Sequence, residues 1–188
     1  MPYLLDAAFV DFKDRPLLFI DLEMTGLDVS SHEIIEVAAL KVTQPDFNIE
    51  NSYYTKVVPT HIETADPQSL KVVNYTPASW LEAIPLRQVL QELVQFAPDC
   101  ILAGWAVQNE WDFLNVALEK ENLPYFYNHR LLEVSTLAYA RFYKDPLVKY
   151  LSLNNVAKTL GIHLEAHRPD SDIRATYEIF KKLIVKNK

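Results

Sequence analysis

The chain has 188 residues, 49% of them hydrophobic and 12% aromatic, enough for one domain with a substantial core. Three glycines and 23% charged residues argue against disorder or low complexity, and a single cysteine excludes an internal disulfide framework. The formal net charge of −7 disfavours a protein that grips a long phosphate backbone, where Lys and Arg supply most non-specific affinity by releasing counterions; it favours recognition of a short segment or an end.

Residues 1–15 read as an N-terminal extension and 16–188 as a single domain. The start, Met1-Pro2-Tyr3-Leu4-Leu5-Asp6, lacks the basic region of a signal peptide, and no stretch is long and apolar enough to span a bilayer. The expectation is a soluble cytoplasmic protein without a membrane partner. After Pro16, the apolar run Leu17 to Ile20 opens a first strand over about 17–23. Ile34 to Val42 reads as a second strand, and Tyr53 to Val58, ended by Pro59, as a third. The short spacings predict an antiparallel meander. Leu86, Val89, Leu90, Leu93 and Val94 then recur at helical spacing.

From Pro98 onward the pattern becomes strand–helix. Cys100 to Ala103 is a buried strand, which makes Cys100 a core residue, and Trp111 to Glu121 is helical. Leu131 to Val134 reads as a strand, leading into a helix over Thr136 to Tyr143. Ser152 caps a helix over Leu153 to Leu160, with Gly161 just past its end, and Ser171 or Asp172 starts a last amphipathic helix. Together these predict an α/β fold in which a mixed five-stranded sheet, three antiparallel strands followed by parallel ones, is flanked by helices.

Chemistry concentrates in Asp21-Leu22-Glu23-Met24-Thr25-Gly26. Side chains alternate along a strand, so Asp21 and Glu23 share a face at its end. Two carboxylates side by side repel, and burial raises the cost of ionising them. A divalent cation with oxygen ligands, Mg²⁺ or Mn²⁺, relieves both; so would a neighbouring Lys, an Arg or solvent. Further along, Asp112 enters a predicted helix, and His167-Arg168-Pro169-Asp170-Ser171-Asp172 sets an imidazole five residues ahead of an acid that starts another. Each alone is an ordinary helix-start acid. Their order and context together are not ordinary.

Over roughly residues 16–185 the chain resembles the DEDDh 3′–5′ exonucleases of the ribonuclease-H-like superfamily, which include proofreading exonucleases, RNase T and oligoribonuclease. The resemblance rests on Phe19 to Leu27, on Asp112 within Gln108 to Leu114, and on the His167-x4-Asp172 spacing. It implies a ribonuclease-H-like sheet and an exonuclease domain at 16–188. It also implies that Asp21, Glu23, Asp112 and Asp172 hold two divalent ions, with Asp112 acting through metal-bound waters. His167 would be the general base, and Met24, Thr25, Gly26 and Leu27 would receive the 3′-terminal nucleotide. The implied reaction is hydrolysis of phosphodiester bonds at single-stranded 3′ ends, of DNA in proofreading or repair or of short RNA. Activity should then rise from acid toward mildly alkaline pH as His167 loses its proton.

Departures exist. Val107 and Gln108 stand where His-Asn is frequent, and Pro169 where a small residue is usual. His163 is spaced wrongly for the motif, while His32, His61 and His129 read as surface residues. Trp105 and Trp111 read as core fillers, with base stacking as the alternative. The competing reading is a nucleic-acid-binding or scaffolding module that keeps the fold without catalysis; it predicts loss of an acid or of the histidine, and all five are present. A homodimer and a polymerase or repair partner both stay open.

Overall fold

The computed structural model describes residues 10–146, 148–165 and 168–185. Its sheet is built from β1 (Leu17–Met24), β2 (Ile34–Thr43), β3 (Asn48–Lys56), β4 (Cys100–Gly104) and β5 (Tyr127–Glu133), in the order β3-β2-β1-β4-β5. β1 pairs antiparallel with β2 and β2 with β3, whereas β1–β4 and β4–β5 are parallel. The mixed five-stranded sheet expected from the sequence is therefore the architecture observed.

Alternation along β1 splits the core in two. Leu18, Ile20 and Leu22 face one side, packing with Val89, Leu90 and Leu93 of a helix α2 (Leu86–Phe96) and with Phe113, Leu114 and Leu118 of α3 (Gln108–Lys120). The short α1 (Pro67–Val72) precedes them and buries none of its residues. Leu17 and Phe19 face the other way, onto Val134, Ala138 and Phe142 of α4 (Val134–Phe142), Val156 and Ala157 of α5 (Leu153–Thr159), and Ile173, Tyr177 and Phe180 of α6 (Pro169–Ile184). Asp21 and Glu23 continue this second face past the end of the apolar run. Among the described residues no helix is long and apolar enough to cross a membrane.

The element boundaries that moved have local causes. β3 begins at Asn48 rather than Tyr53, because its first residues, polar apart from Ile49, are exposed on an edge strand and carry no hydrophobic alternation. α6 begins at Pro169, whose fixed φ and missing N–H suit the first helical position. α3 begins at Gln108, three residues before the expected Trp111, which moves Glu110 into its first turn. Ser152 caps α5 as anticipated, accepting from the Asn155 N–H at 3.3 Å, and Gly161 takes φ +67 beyond it. Residues 10–15 are tied to the domain by the buried Arg15, whose guanidinium donates to Asp99, and by Gln44 Nε2, which donates to the carbonyls of Phe12 and Arg15 at 2.8 Å each.

Phe180 anchors α6 on the sheet, meeting Phe19 and Phe47 edge-on at ring separations of 5.3 and 5.1 Å. Phe180→Ala is expected to cost about 3–5 kcal/mol by leaving a cavity under the helix that carries Asp172. Urea denaturation followed by far-UV circular dichroism measures that loss.

Candidate active site

The C-terminal end of β1 is where three segments converge. β1 delivers Asp21 and Glu23, and β2 places Glu36 directly across from Glu23. Glu110 sits in the first turn of α3, and Asp172 in the first turn of α6. A helix N-terminus is favourable for an acid, so both helices offer carboxylates toward the strand end from opposite faces of the sheet.

The electrostatics show which acids share a field. Burial raises the Asp21 carboxyl well above its usual range, and the charges of Glu110, Asp172, Glu23 and Glu36 raise it further. Burial, then Glu36 and Asp172, push Glu23 up to about 7. Glu110 rises to about 8, mainly through burial and, among its neighbours, Glu133 and Glu23. Glu36 is 6% exposed; burial raises it, while the Tyr54 hydroxyl that donates to its carboxylate pulls the other way. Glu110 is also 6% exposed, and its Oε2 meets no hydrogen-bond partner among the described residues.

Asp112 stands elsewhere. It lies two residues past Glu110, about 200° around the helix, and its Oδ1 accepts from Gln108 Nε2 of its own helix at 2.9 Å. It is not among the charges that act on Asp21 or Glu23. Glu110 shares its helix face with the buried Phe113, Leu114 and Ala117, at i+3, i+4 and i+7. That apolar stripe is the sequence signal for Glu110. His167 lies outside the described residues.

The segment after Glu23 is firmly held. Thr25 is fully buried: its N–H donates to the Glu33 carbonyl, its hydroxyl accepts from the Glu33 N–H, and its carbonyl accepts from the Asp66 N–H, at 2.8, 2.8 and 2.7 Å. The Glu33 carboxylate in turn accepts from the N–H groups of Thr60 and His61. Met24 packs against the α2–α3 core, Gly26 is buried, and Leu27 is 83% exposed, so Leu27 is the apolar side chain of this turn that is free to touch a ligand. Trp105 and Trp111 pack against the two cores, in keeping with the core-filling reading.

Glu133 supports the other wall. Its carboxylate accepts from the N–H groups of Ala106 and Val107 at 2.9 Å each and from Ser135 at 3.0 Å. α3 has no side-chain cap of its own, so Glu133 caps it from the end of β5. This also holds Ala106 at φ +63, a conformation costly for a residue with a Cβ.

A scan of known families gives a match over residues 18–180, to a family of the RNase T type described as an exonuclease. The chain belongs to the RNase T exonuclease family. It is accordingly an exonuclease-family hydrolase of phosphodiester bonds. Among curated relatives it is 32% identical over 173 residues to the DNA polymerase III subunit epsilon of Aquifex aeolicus, covering 91% of this chain and 81% of the relative. It is 25% identical over 179 residues to the PolC-type DNA polymerase III of Thermotoga petrophila, covering 92% of this chain but only 12% of that protein. Among solved structures, the zinc-bound form of the Escherichia coli ExoI–ssDNA complex superposes with a TM-score of 0.79 at 14% identity, over 92% of this chain and 41% of that one. The same enzyme with a dT13 oligonucleotide gives 0.76 at 14% identity over 89% and 40%. At that identity the likeness is one of fold, and it confirms the ribonuclease-H-like class.

DEDD exonucleases use divalent metals, and the donor set here suits such an ion: oxygen-only ligands, carboxylates pushed toward neutrality by burial and by one another, and a buried carboxylate oxygen on Glu110 that meets no partner among the described residues. Among the described residues, no three His, Cys, Asp or Glu side chains converge closely enough to form a ready-made metal cage.

The raised carboxyls have a consequence for stability. Glu23 and Glu110 bind protons more tightly folded, at about 7 and about 8, than at their ordinary 4.5. Between those values the native state holds more protons than the unfolded one, so stability falls as pH rises. The melting temperature of metal-free protein is expected to drop from about pH 5 to about pH 8, and Glu110→Gln to flatten the slope. Added Mn²⁺ should raise the melting temperature more at the upper end, where the carboxylates are ionised. Differential scanning fluorimetry across pH, with and without chelator, checks all three.

Proposed function

We propose that this chain is a metal-dependent 3′–5′ exonuclease that removes nucleotides one at a time from single-stranded 3′ ends. The observation that carries this reading is the convergence of Asp21, Glu23, Asp172 and Glu110 in one electrostatic field at the end of β1, beside the firmly held Met24–Leu27 turn. Asp21, Glu23 and Asp172 would hold two divalent ions, Mg²⁺ or Mn²⁺, with Glu110 in the role that the family resemblance implies for Asp112. When bound, such ions neutralise charge on the phosphate and favour ionisation of water. The chain's own residues do the rest. Met24, Thr25, Gly26 and Leu27 receive the terminal nucleotide, with Leu27 against its base. His167, preceding α6, takes the proton from the attacking water, a contribution of roughly 10²–10⁴ in rate.

The relatedness to a DNA polymerase III subunit supports DNA as substrate and a polymerase as partner. The acidic balance of the chain fits an enzyme that meets a short end rather than tracking a duplex.

Denaturing gels of 5′-labelled DNA and RNA oligomers, two-residue RNA included, test the reading in Mn²⁺ or Mg²⁺. A stepwise shortening ladder is expected, lost with chelator and in Asp21→Asn. Glu110→Gln should cost about 10²-fold or more in kcat, as removal of a group acting on the reacting centre does, while Asp112→Asn should stay within about threefold of wild type. A large loss in Asp112→Asn with a mild one in Glu110→Gln would reverse their roles. Tight oligomer binding without cleavage of either nucleic acid would favour the non-catalytic binding module.

A further inference from the structure

The turn between β1 and β2 contains His32, which its polar context predicts to be a surface residue. The structure puts it over the turn. A Cβ added to Gly26 would lie 2.4 Å from His32 Nε2, 2.5 Å from Cε1 and 2.6 Å from Cδ2, so the imidazole rests directly on the one residue that can take it. The ring is also bonded to the same turn: the Asp28 N–H donates to His32 Nδ1 at 3.0 Å, and the His32 N–H donates back to the Asp28 carbonyl at 2.8 Å. An accepting Nδ1 leaves the proton of the neutral ring on Nε2.

The tip of the turn is separately tightened. The Asp28 carboxylate accepts from the Ser30 N–H at 2.9 Å and from its hydroxyl at 2.7 Å. Behind it, Thr25 is fixed through Glu33 and Asp66. In the stretch between, the ring lies directly against Gly26. Leu27 projects outward from there, 83% exposed.

We propose that His32 is a positioning residue for nucleotide binding. Its imidazole holds the Gly26–Asp28 backbone at a set height, so that Leu27 and the turn meet the terminal nucleotide already in place. Gly26 and His32 are a matched pair, since any side chain at 26 needs the space the ring fills. The His32 ring rests on Gly26 and accepts from the Asp28 N–H, so its influence falls on how the nucleotide is gripped and not on bond cleavage.

The inference rests on the exonuclease reading for its substrate, and two readouts keep them apart. One is steady-state cleavage of 5′-labelled single-stranded DNA with Mn²⁺; the other is an NMR titration with thymidine 5′-monophosphate, which needs no catalysis. His32→Ala is expected to raise KM and the mononucleotide Kd about tenfold, the scale of one lost hydrogen bond with its packing, and to leave kcat within about twofold. His32→Asn can present Oδ1 near the position of Nδ1 and should recover most of the affinity. His32→Phe fills the space without an acceptor and should stay weakened.

If His32→Ala unfolds, as a melting curve would reveal, the Asn and Phe variants carry the comparison. Unchanged KM and Kd in the altered proteins, or a fall in kcat alone, would overturn the positioning role while leaving the exonuclease intact. A wild type that binds the mononucleotide but cleaves nothing would sink the exonuclease reading, and the Kd series would still decide His32.

Discussion

Mutual repulsion among buried acids is the constraint around which this molecule is organised. β1 must be apolar enough to sit in the middle of a five-stranded sheet, and it must also end in two carboxylates on the face that α6 covers. Glu36, Glu110 and Asp172 add to the field at Asp21. Such a cluster is costly in isolation. It persists because the apolar layers on both sides of the sheet supply the stabilisation, and the helix N-termini that deliver Glu110 and Asp172 soften the repulsion. Stability is given up locally to keep these acids together at the end of β1.

The two walls of the site are built by different means. On the meander side, backbone and side-chain bonds around Thr25 and Glu33 close the loop between antiparallel neighbours. On the parallel side the strands cannot be joined by a short turn, and a single carboxylate, Glu133, ties the start of α3 to the start of α4. In both cases an acid is spent on orienting backbone N–H groups rather than on chemistry. Part of the chain's negative balance is thus structural.

Much of this was legible in the residues themselves. Leu17 to Ile20 followed by Asp21-Leu22-Glu23 fixes both a buried strand and the face of its acids, because alternation admits one answer. The strand–helix rhythm after Pro98 gave the parallel half of the sheet. Where the structure adds to what the residues show, the reasons are physical. Asp112 accepts from Gln108 on its own helix, while two residues earlier, on the apolar face of α3, a longer acid, Glu110, acts on Asp21. The first half of β3 has no apolar pattern because it is an exposed edge. His32 looked like a loop residue because its partner is a glycine backbone, and contact with a main chain leaves no trace in side-chain periodicity.

The reach of Glu133 has an implication for how the molecule comes into being. The helix that carries Glu110 is capped from 26 and 27 residues downstream, by a side chain at the end of the last strand to join the sheet. α3 therefore cannot be finished where it is made. The bonds from Ala106 and Val107 to Glu133 exist only once β5 lies beside β4, so completing the start of α3, and with it the turn that carries Glu110, depends on contacts distant in sequence.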